Sequence, residues 1–434
     1  MHAESLPVET VDLAAISCWY VERMPASFKG YQVLRIRSYR LFWTGQWISL
    51  IGTWMQSVTQ AWLLTRLTDN PLELGFLGAA SSAPMLVLVL LGGLVSDRWN
   101  RRRLIMTTQA LSLLQALVMA ALTLTGIVRP WQIIALAAVL GAINAFDIPA
   151  RQSYIVELVG AQHLPNAIAL NSTGFNVARV VGPAIGGLLV AAVGEGPCFL
   201  VNALSYLAVL WGLWLIPPSA APAHGAGREP GAFGAGLRYA RRHSDLASIL
   251  LLVGVVSAIG ISYRTFLPAM ARNVLQVGAW RYGLLMSAAG VGAGTGGFVL
   301  AGLRLERERY WRLLPMALCV FSISLAGFAL SRDYMLSLLM LAVVGSAGIV
   351  YFNASNTLVQ LSVDNTHRGR VMSLYTLMHQ GTATFGSLGL GFVAARFGTP
   401  AALLLGAVVC ALAVSAFLAL RPASVAEGRL QVAD

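Results

Sequence analysis

Twelve apolar runs, each about twenty residues long, dominate this chain. They lie at approximately 41–65, 72–95, 104–126, 131–150, 168–193, 197–216, 246–270, 281–302, 312–331, 335–358, 371–394 and 399–420. A hydrocarbon core about 30 Å thick takes roughly 20 helical residues to cross, at ~1.5 Å each. No water is available there to satisfy unpaired backbone groups, so a spanning run of this length must be a helix. Twelve spans of ~21 residues would use about 58% of the chain, which matches its 57% hydrophobic and 11% charged content. Soluble domains carry about 25% charge, so a soluble multidomain enzyme is excluded. The expected fold is all-α: a polytopic membrane protein of twelve transmembrane helices embedded in a lipid bilayer.

Residues 217–245 break the pattern with a Pro/Gly/Ala-rich basic stretch that reads as a linker. The predicted organisation is a tail (1–40), a six-helix bundle (41–216), the linker (217–245), a second six-helix bundle (246–420) and a short tail (421–434). Residues 1–30 carry Glu4, Glu9, Asp12 and Glu22, unlike the basic-then-apolar order of a secretory signal, and read as a poorly ordered tail.

The net charge of +12 would suit nucleic acid. Nucleic-acid binding needs one basic face with interleaved aromatics, whereas these arginines fall in short bursts between apolar runs, so no nucleic-acid partner is expected. Placing the amino terminus inside puts 22 basic residues on the inner side and 6 on the outer. By the positive-inside bias both termini and the linker are cytoplasmic. Lys29 is the only lysine and lacks a glycine-rich context, so neither a P-loop nor a Schiff-base lysine is available. Cys18, Cys198, Cys319 and Cys410 have no paired spacing; the last three read as small core residues, and no metal or cofactor is expected.

The two halves repeat weakly. Asn70–Leu77 aligns with Gly278–Leu285 at an offset of 208, Asn144-Ala145 with Asn353-Ala354 at 209, and Gly182 with Gly386 at 204. A near-constant offset over six-helix units suggests parallel repeats with a substrate site between them near the midplane.

Polar residues inside the runs are the functional candidates. On the first run Gln46, Ser49, Thr53, Gln56 and Gln60 recur at steps of 3 and 4, a stripe about 80° wide at 100° per residue. Trp43, Trp47 and Trp54 form an adjacent stripe. Such residues face a bundle interior or water; the stripe reads as substrate-cavity lining, with hydrogen-bond glue between helices as the alternative. Asn353, Asn356 and Gln360 on the tenth run, and Ser373, Thr376, Gln380, Thr384 and Ser387 with His379 beside them on the eleventh, offer similar faces.

On the fifth run, Asn176 and Arg179 are assigned to the cavity. Arg179 lies about 11 residues, roughly 16 Å, into its run, where it would hold an anionic substrate or balance a buried acid, or else be satisfied by carbonyls or by snorkelling. Arg264 reads as snorkelling or as part of an outer gate. Asp147 and Arg151, near the inner end of the fourth run, read as a cytoplasmic gate, with a proton-carrying role for Asp147 as the alternative. His379 would titrate near neutral pH, or be structural. Gly292–Gly297 contains GxGxxG, but inside an apolar helix it reads as helix packing.

The loop after the second run reads Gly93-Leu94-Val95-Ser96-Asp97-Arg98-Trp99-Asn100-Arg101-Arg102-Arg103-Leu104. Gly93 would allow a close helix approach, and Asp97, Arg98, Arg101 and Arg102 would form an electrostatic latch joining Asp147 and Arg151; the alternative is a topogenic basic loop. GxxxDRxxRR in this position resembles the signature loop of the major facilitator superfamily, with Asn100 where many members carry Gly. The fifth run contains Gly182-Pro183-Ala184-Ile185-Gly186-Gly187, similar to the GPxxGG core of its export-type members, a helix-bend motif. With Leu41–Gln56 and Asp147-Ile148-Pro149-Ala150-Arg151-Gln152, the chain looks like the branch containing the enterobactin exporter and macrolide efflux proteins.

The resemblance implies two six-helix bundles in a bacterial cytoplasmic membrane. It also implies alternating access, with export of a small siderophore-like or drug-like molecule coupled to inward proton movement. An uptake carrier or uniporter is the alternative. A membrane enzyme would need a visible acid, base or nucleophile cluster, and a sensor would need an output domain.

Overall fold

A computed structural model describes residues 32–217, 232–303, 305–364 and 367–419. Twelve helical passes run in order. The first six are α1 (Arg37–Leu67), α2 (Pro71–Arg98), α3 (Arg101–Leu124), α4 (130–159), α5 (161–193) and α6 (Glu195–Leu215). The second six are α7 (Ser244–Val274), α8 (Ala279–Gly302), α9 (Arg307–Leu330), α10 (Tyr334–Leu361), α11 (368–397) and α12 (Thr399–Ala419). Nine described helices are long and apolar enough to cross a membrane by length and composition. One of these is the continuous run holding both α4 and α5; α1 and α11 complete the twelve.

Local chemistry sets the boundaries. Asn70 caps α2 by accepting from the Leu72 amide (3.0 Å), with Pro71 in the first turn. Asn100 caps α3 through the Arg103 amide (3.1 Å) and Asp333 caps α10 through the Leu336 amide (2.7 Å). The gap expected between the fourth and fifth runs is helical instead: the run Pro130–Val193 is broken only at Gly160, whose φ of 69° turns the chain. Gly194 and Gly398, both at φ 88°, make the sharp turns from α5 to α6 and from α11 to α12. They are separated by 204 residues, the offset that relates Gly182 to Gly386.

That offset has a packing meaning. A Cβ on Gly182 would lie 2.5 Å from Trp54 Cβ on α1, and one on Gly386 would collide with the Ala258 carbonyl on α7. Thus α5 packs on α1 as α11 packs on α7. The two bundles meet the same way. A Cβ on Gly75 of α2 would meet Ser387 O of α11 at 2.7 Å, and one on Gly283 of α8 would meet Pro183 O of α5 at 2.5 Å. Small residues allow these backbones to touch without any hydrophobic driving force in lipid.

Within the expected linker, residues Ala232–Arg242 form a short helix. Tyr239 stacks between His243 (4.3 Å) and His367 (4.5 Å), and its hydroxyl donates to Asp364 Oδ2 (3.1 Å). This pins the linker helix to the start of α11. The end of the molecule holding this helix is called the linker end below, and the opposite end the far end.

Candidate transport chamber

The contacts joining the bundles gather in the far halves of their helices. Ser287 Oγ donates to Val180 O (2.6 Å), Ser82 and Thr384 share a hydrogen bond (2.8 Å), and Trp62 stacks on Tyr282 (5.6 Å). Arg272, near the far end of α7, donates to the Thr65 carbonyl and to Asp69 Oδ1 (3.2 Å) where α1 ends. Toward the linker end, by contrast, polar side chains stand exposed on otherwise apolar helices: Thr44 on α1, Ser172 and Thr173 on α5, Asn353 and Gln360 on α10, Thr376 and Gln380 on α11. Polar groups at this depth face water rather than lipid. The arrangement is that of a candidate chamber, joined by bundle contacts at the far end and flanked by exposed polar side chains toward the linker end.

The expected cavity residues divide into two sets. On α10 and α11, Asn353, Thr376 and Gln380 are exposed, and Asn356 and His379 are half-buried. Gln360 Nε2 donates to Asn356 Oδ1 (2.5 Å), and the His379 ring packs on Phe352 (4.1 Å). His379 sits in a π-helical segment, Leu377–Gly381, and its Nδ1 is buried without a partner among the described residues. On α5, Asn176 donates to Ser172 O (3.0 Å), one turn from Arg179 on the same face.

The polar stripe of α1 faces elsewhere, a correction to the cavity-lining expectation. Gln56, 1% exposed, donates to Gln115 Oε1 (3.1 Å) and accepts from Asn202 (2.5 Å). Gln60 donates to Ile133 O (3.1 Å), and Thr53 bonds both Ser49 O (2.9 Å) and the Tyr206 hydroxyl (3.4 Å). Gln46 and Ser49 are buried too. Thr53, Gln56 and Gln60 act as hydrogen-bond glue tying α1 to α3, α4 and α6. The reason is angular: Trp62, which touches the other bundle, lies about 120° around the helix from Gln56. The tryptophans hold the α5 side instead, Trp54 edge-on to Phe175 (5.7 Å) and Trp43 stacked on Trp47 (5.8 Å) beside Gly174.

Of the gate candidates, Asp147, Arg151, Arg101 and Arg102 are committed inside the first bundle in this conformation. Asp147, 1% exposed, accepts from Thr108 (2.6 Å) and Gln109 (3.0 Å) and pairs with Arg151 one turn along α4. That is a clasp between α3 and α4, not a contact between bundles. Arg101 pairs with Glu157, and Arg102 donates to Leu213 O (2.9 Å) and Trp214 O (3.3 Å), fastening α3 to α4 and α6. Asp97 lies in the last turn of α2 with its side chain outside the described set, and Arg98 is exposed. Beside Gly93, a Cβ on Gly92 would come within 2.0 Å of Ala145 O.

The GPxxGG segment joins both bundles. Gly182 and Gly186 seat α5 on Trp54 and Met55 of α1, while Pro183 and Gly187 present backbone to Gly283 of α8.

Arg179 is half-buried, and its Nε and Nη2 are buried with no hydrogen-bond partner among the described residues. Arg264 lies within electrostatic reach of both Arg179 and His379. Its guanidinium carbon is 5.8 Å from the Tyr263 ring centroid. None of the four ion pairs between described residues includes Arg179 or Arg264.

Comparison with known proteins agrees with this architecture. The model of the transmembrane secretion effector family matches residues 29–430. The Staphyloferrin A transporter of Staphylococcus aureus is 24% identical over 83% of this chain and 90% of its own length. The enterobactin exporter EntS of Shigella boydii is 23% identical over 81% and 85% respectively. Among solved structures, a bacterial homologue of the human lysosomal transporter Spinster, inward-facing and unoccupied, superposes with a TM-score of 0.70 at 18% identity, covering 92% of this chain and 99% of that one. A point mutant of the nucleoside transporter NupG gives 0.68 at 15%, over 91% and 100%. Low identities of this kind establish the fold, and the family match covers most of the chain: the protein belongs to the transmembrane secretion effector family of the major facilitator superfamily, membrane transporters rather than enzymes.

Proposed function

We propose that the protein is a secondary active exporter that moves a small amphipathic, siderophore-like or drug-like molecule out of a bacterial cell by alternating access, with protons as the coupling ion. The linker end is the cytoplasmic end, as the arginine distribution favours. The observation that carries the reading is the chamber itself. Bundle contacts seal it at the far end, and its polar walls open toward the linker end, the state in which an exporter loads from the cytoplasm. Export is favoured over uptake by the GPxxGG segment at the hinge between bundles and by the similarity to an enterobactin exporter. His379, packed on Phe352 in a π-helical segment, is a titratable side chain suited to carrying the coupling proton. π-Segments of this kind recur at functional positions.

The test uses inside-out and right-side-out vesicles carrying an internal pH dye, offered enterobactin, staphyloferrin A, a macrolide and a lipophilic cation. The reading expects saturable accumulation of one compound class in inside-out vesicles, with a dye response absent from protein-free controls. Accumulation confined to right-side-out vesicles would make the protein an uptake carrier. Downhill movement with a silent dye would make it a uniporter.

A further inference from the structure

A cation held inside apolar helices is costly unless something answers its charge. Asp147 answers Arg151 in this molecule, and Glu195 answers Arg66 (2.6 Å). Arg179 has no such answer among the described residues. Its Nε and Nη2 are buried, and no described carbonyl has taken them. These two nitrogens form the side-on edge of the guanidinium, whose parallel N–H bonds match the two oxygens of a carboxylate. The neighbouring charge is Arg264, of the same sign and from the opposite bundle. Arg264 lies 5.8 Å from the Tyr263 ring centroid and within electrostatic reach of His379, and the Tyr263 hydroxyl and His379 Nδ1 are both buried without partners among the described residues.

We infer that Arg179 and Arg264 form one divided anion site, a guanidinium from each bundle, that grips a carboxylate-bearing substrate. This rests on the transporter reading and adds the substrate's chemistry. The two cations repel while the site is empty, and a carboxylate between them removes that repulsion while filling the vacant side-on edge. Because each bundle contributes half, the grip depends on the relative position of the bundles. A site at the bundle interface near the midplane is what alternating access requires.

The test is binding of propane-1,2,3-tricarboxylate to the full chain in nanodiscs, measured by calorimetry. A hydrogen bond to a charged group is worth about 1.5–3 kcal/mol, and each 1.4 kcal/mol is tenfold. R179Q and R264Q should therefore each weaken binding by about 10- to 100-fold. Since both act on one anion, R179Q/R264Q should lose less than the product of the two single losses. R179K should fall between wild type and R179Q, keeping charge but losing the side-on fork. Wild-type affinity in both single variants, or losses that multiply in the double variant, would overturn the site. If R179Q does not fold, R264Q decides the question alone.

Binding in nanodiscs needs no transport, so the two readings fail separately. Tricarboxylate binding lost in R264Q by a protein that moves nothing in vesicles would sink the exporter and keep the site. Vesicle export of a siderophore or lipophilic cation unchanged in both single variants would do the reverse.

Discussion

The two bundles are repeats of one plan, yet they are held together differently. In the first, buried amides form a ladder from Asn202 on α6 through Gln56 on α1 and Gln115 on α3 to the Leu136 carbonyl on α4. The Asp147 clasp then fastens α3 to α4 nearer the linker end. In the second, the helices equivalent to α1 and α5 are interrupted. α7 carries π-segments at Val256–Gly260 and Met270–Val274, and α11 carries one at Leu377–Gly381. A satisfied polar network rigidifies a packed unit, whereas a π-segment inserts a residue into the helical ladder and gives a place to bend. The contrast suggests a stiff amino-terminal bundle against which α7 and α11 of the other bundle flex.

The largest expected effect is in the stiff bundle. Asp147→Ala removes the acid from a buried pair and leaves Arg151 uncompensated, a change costing about 3–5 kcal/mol. Thermal unfolding in detergent should fall sharply, and Asp147→Ala/Arg151→Met should recover part of the loss. If Asp147→Ala were fully stable and defective only in transport, the clasp would instead be a gate, as the sequence alone suggested.

The far-end seal comes next. A Cβ on Gly187 would come within 2.6 Å of Ala279 O on α8, a backbone atom that cannot swing aside. Gly187→Val should therefore disfavour the sealed state by about 1–3 kcal/mol, the usual cost of overpacking. The equilibrium then moves toward an outward-open form by roughly 5- to 150-fold. A cysteine at Ser82, which bonds Thr384 across the seal, should label faster with an impermeant thiol reagent applied from the far side. Unchanged labelling would mean that the bundles do not part there.

Much of this was legible in the sequence, and the failures have physical causes. Twelve passes, the six-and-six division and the repeat offset follow from apolar length and glycine spacing, and the structure gives the glycines their meaning as crossing points. The polar stripe on α1 was visible, but amphipathicity only distinguishes lipid from everything else. A bundle interior and a wet chamber look the same to a helical wheel. Thr108 and Gln109, the partners of Asp147, carried no signal because single polar residues on an apolar run are common. The seventh run was ended at 270, while α7 continues to Val274. The proximity of Arg264 to Arg179 is a tertiary fact that no spacing along one chain reveals.

A milder pair of changes sharpens the contrast further. Gln56→Met removes the centre of the amide ladder and leaves Asn202 and Gln115 short of a partner, which costs about 1–3 kcal/mol. It should lower stability without altering the labelling of the Ser82 position.

Gly381→Ala, at the end of the α11 π-segment, places a methyl 2.5 Å from Leu86 Cδ1, the tip of a flexible side chain on α2. A tip of this kind turns away at little cost, so stability should change by less than about 1 kcal/mol. Gly→Ala also narrows the backbone freedom at the point where α11 is argued to bend. Transport rate should therefore fall more than stability does. A rate loss no greater than in Gln56→Met would mean that α11 moves as a rigid rod, and that the π-segment positions His379 rather than serving as a hinge.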